Sequence, residues 1–143
     1  MDVRSLLFGT GRTSRATDLG LLILRVGLGL TLALGHGLGK LPPSAGFIEG
    51  TAEMGFPLPT FFAWAAALSE FVGGLLLAVG LATRPAAFFV ACTLATAFFL
   101  GHGGSVDEGE LALVFLVGAL ALLASGAGRY AVDRWIARPS LYA

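Results

Sequence analysis

Two ionisable residues interrupt long apolar runs in this sequence. Arg25 falls within LGLLILRVGLGLTLALGHGL and Glu70 within TFFAWAAALSEFVGGLLLAVGL. If these runs cross a bilayer, an isolated charge at such depth costs about 2.5–3.5 kcal/mol on insertion scales, so both residues must face inward and find partners. At about 1.5 Å of rise per residue, Arg25 lies about 9 Å from the inner end of its run and Glu70 about 16 Å, a difference of about 7 Å that an arginine side chain spans. The spacing predicts a buried Arg25–Glu70 pair near the midplane, serving either as a polar ligand site or as an ion pair that fixes helix register. Glu70 also lies on a stripe of small residues, Ala63, Ala66, Ala67, Gly73 and Gly74. Such a stripe marks a packed membrane-helix face.

A second set gathers at the outer end. His36 follows Arg25 by three turns on one helix face, and Lys40 comes one turn later. Rise alone brings His102 to a similar depth, with Asp107, Glu108 and Glu110 close by. These residues could form a proton-handling or ligand-binding cluster, or an ordinary interfacial group of polar side chains. His36 and His102 also raise bis-histidine haem ligation, although such ligands usually sit deeper in a bundle. A di-iron carboxylate site is excluded, since it needs Glu-x-x-His motifs and the sequence has none. Cys92 is the single cysteine, so no internal disulfide, CxxC redox pair or thiolate-built metal site can form. That removes the disulfide-shuttling quinone reductases. No metal site and no catalytic residue are assigned, and no phosphate loop or basic nucleic-acid patch is present.

The elements that must position these residues follow from composition. Of 143 residues, 56% are hydrophobic and 13% charged, with zero net formal charge. Mean hydropathy is +0.84. A soluble domain of this size has too little interior to bury so much apolar surface. Four runs, at about 19–38, 60–81, 85–101 and 109–125, approach the ~20 residues that span a hydrocarbon core. Thr17 and Asp18 can cap the first, and Pro57, Pro59 and Pro85 suit helix starts. The first run is long and lacks a cleavage-like exit, so it reads as a retained helix. Between Pro42 and Pro59, the residues Phe47, Ile48, Thr51, Ala52 and Met54 recur at helical spacing, which predicts a short helix on the outer interface.

The fold expected is therefore all-α, a four-helix transmembrane bundle with a short interfacial helix in its first outer loop. Residues 1–18 form an N-terminal segment, 19–126 the bundle, and 127–143 a C-terminal tail. Arg4, Arg12, Arg15, Arg84, Arg129, Arg134 and Arg138 fall on one side, against Lys40 on the other. The positive-inside rule puts both termini in the cytoplasm. Tyr130 and Trp135 suit an inner aromatic belt and Trp64 an outer one.

The first span ends in GHGLGKL (Gly35–Leu41), and the loop after it ends in GFPLP (Gly55–Pro59). The second span reads SEFVGGLLLAVGLATR (Ser69–Arg84), and the tail reads GAGRYAVDRWI (Gly126–Ile136). In order and spacing these segments resemble the DoxX family of small bacterial membrane proteins, over about residues 19–136. The resemblance implies four transmembrane helices in a bacterial inner membrane and a link to redox and oxidative-stress complexes. It leaves the reaction open, since function belongs to a site and not to a fold.

The expectation is a small membrane subunit of a quinone-linked redox system, binding a quinone or docking an electron-transfer partner. As an enzyme it would be an accessory subunit of a quinone-linked oxidoreductase, because the chain has no redox-cofactor motif of its own. Alternatives are a small-solute or proton-coupled transporter using Glu70, and a structural membrane anchor for a partner protein. Partners expected are the lipid bilayer, a redox protein and a second copy of the chain, without nucleic acid.

Overall fold

Helix α1 runs Arg15–Lys40, and its last turns change character. Ala33–Gly37 is π-helical and Leu38–Lys40 a 3₁₀ turn. The computed structural model describes residues 14–136, so Arg4, Arg12 and Arg138 lie outside the described residues. Ser14 caps α1, its hydroxyl accepting from Thr17 N at 3.1 Å. Neither Thr17 nor Asp18 is the cap: the helix begins earlier than the apolar run, and Asp18 is turned to a different task described below.

The interfacial helix α2 spans Ala45–Glu53 and is capped by Ser44, which accepts from Phe47 N at 3.2 Å. Helix α3, Pro59–Val79, starts with Pro59 in its first turn and carries a π-helical turn at Ser69–Gly73. It ends at Gly80, where φ is +72° and Leu81 N donates back to Leu76 O at 3.0 Å. That reversal needs a left-handed residue, which glycine adopts without a Cβ penalty. Helix α4 spans Thr83–Gly101, with a third π-helical turn at Ala97–Gly101. Helix α5 spans Val106–Ser125, and a short α6 covers Val132–Ile136.

Helices α1, α3, α4 and α5 are long and apolar enough to cross a membrane. They pack in a ring: α1 on α3, α3 on α4, α4 on α5, and α5 back on α1. Leu32, Leu77, Val90, Leu94, Leu116 and Leu122 meet at the centre among buried alanines. The outward faces are equally apolar, with Ile23, Phe61, Phe89 and Phe99 each at least 60% exposed. In water this pattern would be an aggregation surface; in a bilayer it is the lipid contact.

A close backbone-to-backbone contact joins α1 to α3. A Cβ on Gly74 would lie 2.7 Å from Gly29 O and 2.9 Å from Ala33 N, and one on Gly37 would lie 2.6 Å from Phe71 Cα. The two backbones touch, as small residues permit where lipid supplies no hydrophobic drive between helices.

Candidate functional site

Glu70 sits in the π-helical turn of α3 and is 2% exposed. Both of its carboxylate oxygens accept from Lys40 Nζ, at 2.6 and 2.7 Å. Lys40 closes the 3₁₀ turn of α1, and its side chain is 33% exposed against 3% for Glu70. Its ammonium lies 5.5 Å from the ring centroid of Phe47 on α2, a cation–π distance. The two π-helical turns that flank this pair, Ala33–Gly37 and Ser69–Gly73, pack on each other. A π turn accommodates an extra residue and re-aims the side chains around it, which is why such turns gather at functional sites.

The expected Arg25–Glu70 pair does not form. Arg25 is buried, at 2% exposure, but its Nη1 donates to Ala78 O at 2.5 Å and its Nη2 to Tyr130 O. The reason lies in the helix contact itself. Gly29 comes one turn after Arg25 and Gly74 one turn after Glu70 in antiparallel helices, so the Gly29–Gly74 backbone contact stands between the two charges. No side chain can run through it. Arg25 is left with acceptors at the end of α3, and Glu70 with the lysine on its own side of the contact.

Around Arg25 the chain builds a clamp that the polarity of the tail conceals. Asp133, 1% exposed, accepts from Ala82 N at 2.6 Å through Oδ1 and from Thr83 N at 2.9 Å through Oδ2. Its own N–H donates to Gly80 O at 2.9 Å. Thr83 opens α4, and Ala82 before it has no capping side chain, so a carboxylate from fifty residues away satisfies the orphan N–H groups. The same carboxylate supplies the charge opposite Arg25. Asp18, 2% exposed, accepts from Arg129 N at 2.9 Å. Residues 126–136 thus form a strap across the tail end of the bundle. The signal for Asp133 was an uncapped helix start, visible once α4 is known to begin at Thr83 rather than Pro85.

The remaining members of the expected outer set have separate surroundings. His36 is half-buried, with its ring edge-on to Phe115 at 5.5 Å between centroids. His102 is half-buried in the α4–α5 turn, its N–H donating to Ala97 O at 3.0 Å. Asp107 and Glu108 are exposed on the first turn of α5, and Glu110 is exposed just beyond it. Among the described residues no group of three or more His, Cys, Asp or Glu side chains could hold a metal ion. Of the eight residues singled out, the structure brings together Lys40 and Glu70.

Four apolar helices and an ion pair enclosed between two of them define a multi-pass helical membrane protein. The chain belongs to the DoxX family, whose sequence profile matches residues 20–103. It is 36% identical over 127 residues to "Inner membrane protein YqjF" of Escherichia coli (strain K12), covering 82% of this chain and 92% of that protein. It is 37% identical over 81 residues to "Putative oxidoreductase CatD" of Bacillus subtilis (strain 168), covering 57% of this chain and 58% of that one. An uncharacterized Haemophilus influenzae protein is 38% identical over 76 residues, covering 48% of this chain and 57% of that protein. No solved structure matches significantly.

Proposed function

We propose that this chain is a small inner-membrane subunit of a quinone-linked redox or oxidative-stress system, in which the Lys40–Glu70 pair binds a quinone head group. The observation that carries this reading is a carboxylate enclosed in the bundle by a lysine that still has a donor to give. An ammonium has three N–H groups, and Glu70 takes two of them. Because Lys40 is one-third exposed, the third can reach an acceptor from outside the helix pair. A quinone carbonyl suits that donor. It is neutral, so it adds no charge to a pair that already balances, and its apolar ring suits the Phe47 ring that lies 5.5 Å from the ammonium.

The redox element of the proposal draws on the printed name of the Bacillus subtilis relative. Reducing a quinone to its quinol takes two electrons and two protons. The chain carries no redox-cofactor motif, so the electrons come from a partner, and docking an electron-transfer protein belongs to the same proposal. Both termini are cytoplasmic in this reading, supported by Arg84, Arg129 and Arg134 at the tail end of the bundle.

The test is a melting curve in mild detergent, with and without a short-chain quinone, together with mass spectrometry of co-purifying lipids. A ligand that binds only the folded state raises its stability with concentration. A Lys40→Met variant that remains folded should lose that rise. If quinone gives no rise and none co-purifies, the redox reading falls and a structural anchor for a partner protein replaces it.

A further inference from the structure

We infer that the Lys40–Glu70 pair opens to one side of the membrane only, the side that carries α2, and that Lys40 is its gate. As a statement about ligand entry, this rests on the binding reading above; as a statement about access, it rests on three features of the fold.

The first is asymmetric exposure within the pair. Glu70 is 3% exposed at its side chain and Lys40 33%, so the carboxylate is approached past the ammonium that covers both of its oxygens. The second is the backbone contact on the tail side of the pair. Gly29 and Ala33 of α1 lie against Gly74 and Ala78 of α3 so closely that a single added methyl would overlap neighbouring backbone at Gly29 or Gly74, and Gly37 abuts Phe71 as closely at the level of the pair. A seam without room for a methyl group has no room for water, which needs a cavity of roughly 10–15 Å³ and polar partners. Beside that seam the bundle interior is filled by Leu32, Leu77, Val90, Leu116 and Leu122.

The third feature is the strap. Between the seam and the tail-side surface, Arg25 is tied to Ala78 O and Tyr130 O, and Asp133 to the backbone of Ala82 and Thr83. Asp18 holds Arg129 N. The Nη groups of Arg25 and both oxygens of Asp133 are spent on backbone partners, and the Arg25 Nε and Thr83 hydroxyl that remain are buried, with Arg25 2% and Thr83 0% exposed. A ligand head group, or a proton bound for Glu70, therefore arrives from the α2 side and must displace Lys40 to reach the carboxylate.

Proteoliposomes of determined orientation test this with a membrane-impermeant maleimide, added to one side at a time, in a Cys92→Ser background. Arg129→Cys, exposed on the tail side, verifies delivery there. Lys40→Cys should react from the α2 side alone. Glu70→Cys should react at least tenfold faster, and again only from the α2 side, once Lys40→Ala removes the gate. If Glu70→Cys does not fold, Ser69→Cys, its neighbour in the same π turn, takes its place in the same pair of backgrounds. Reaction from the tail side at any of these positions overturns the one-sided seal. Equal rates with and without Lys40 overturn the gate. A failure of quinone to stabilise the protein would leave this labelling pattern intact, so the two claims fall separately.

Discussion

Lys40 Nζ reaches both carboxylate oxygens of Glu70, at 2.6 and 2.7 Å, from the last turn of α1 to the middle of α3. Each residue gives the other its charge partner on one side of the Gly29–Gly74 contact, while Arg25 is held by the Ala78 and Tyr130 carbonyls on the far side.

Breaking the pair from one end leaves a buried charge behind. Lys40→Met strands the Glu70 carboxylate, and the loss of one partner from a buried pair costs about 3–5 kcal/mol at most. The partial exposure of Lys40 argues for the lower end. The double change Lys40→Met with Glu70→Leu should recover most of the loss. Reversible unfolding in detergent reads both, and a double variant no more stable than the single would contradict the pairing.

The α1–α3 seam predicts a sharp contrast between two glycines two residues apart. At Gly29 an added Cβ would collide with Gly74 O and Ala78 N, whereas at Gly27 nothing lies within 4 Å. Overpacking a tight contact costs about 1–3 kcal/mol. Gly29→Ala should therefore lower the melting temperature by several degrees, and Gly27→Ala should leave it unchanged or raise it.

Asp133 acts as a helix cap supplied from the tail. Asp133→Ala removes the acceptor for Ala82 N and Thr83 N, and the loss of a capping side chain costs about 0.5–2 kcal/mol. Hydrogen exchange at Ala82 and Thr83 should accelerate far more than at Val90 in mid-helix. Equal acceleration along α4 would mean that the bundle loosens as a whole.

Much of this architecture was legible in the sequence. The four spans declare themselves because apolar runs of that length have no other stable home, and the helical spacing of Phe47, Ile48, Thr51, Ala52 and Met54 announces α2. The burial of Arg25 and Glu70 was equally plain, since lipid forbids either to face outward. Their pairing was not. Depth reckoned from helix rise treats the space between two helices as open, and the Gly29–Gly74 contact closes it. The π turns at Ala33–Gly37 and Ser69–Gly73 also shift the side-chain register, which a regular 3.6-residue period cannot anticipate. Asp133 escaped notice, and Asp18 was read only as a helix cap, for another reason. Both lie in polar segments that read as solvent-facing, and only the long-range docking of the tail buries them.

The orientation proposed from the arginines is open to direct measurement. Cysteines at Ser44 and Ser105 should react with an impermeant maleimide added to intact cells, and one at Ser14 should not. The reverse pattern would invert the membrane orientation while leaving the bundle unchanged.

The central claim is that Lys40 and Glu70 form the recognition element for a quinone. The most direct measurement is the melting temperature of the purified parent protein and of the Lys40→Met/Glu70→Leu variant, each titrated with a short-chain quinone. A ligand at a hundred times its Kd adds about 2.7 kcal/mol to the stability of the state that binds it. The account predicts a concentration-dependent rise in the parent and none in the folded double variant. An equal rise in both, or none in the parent, would contradict it.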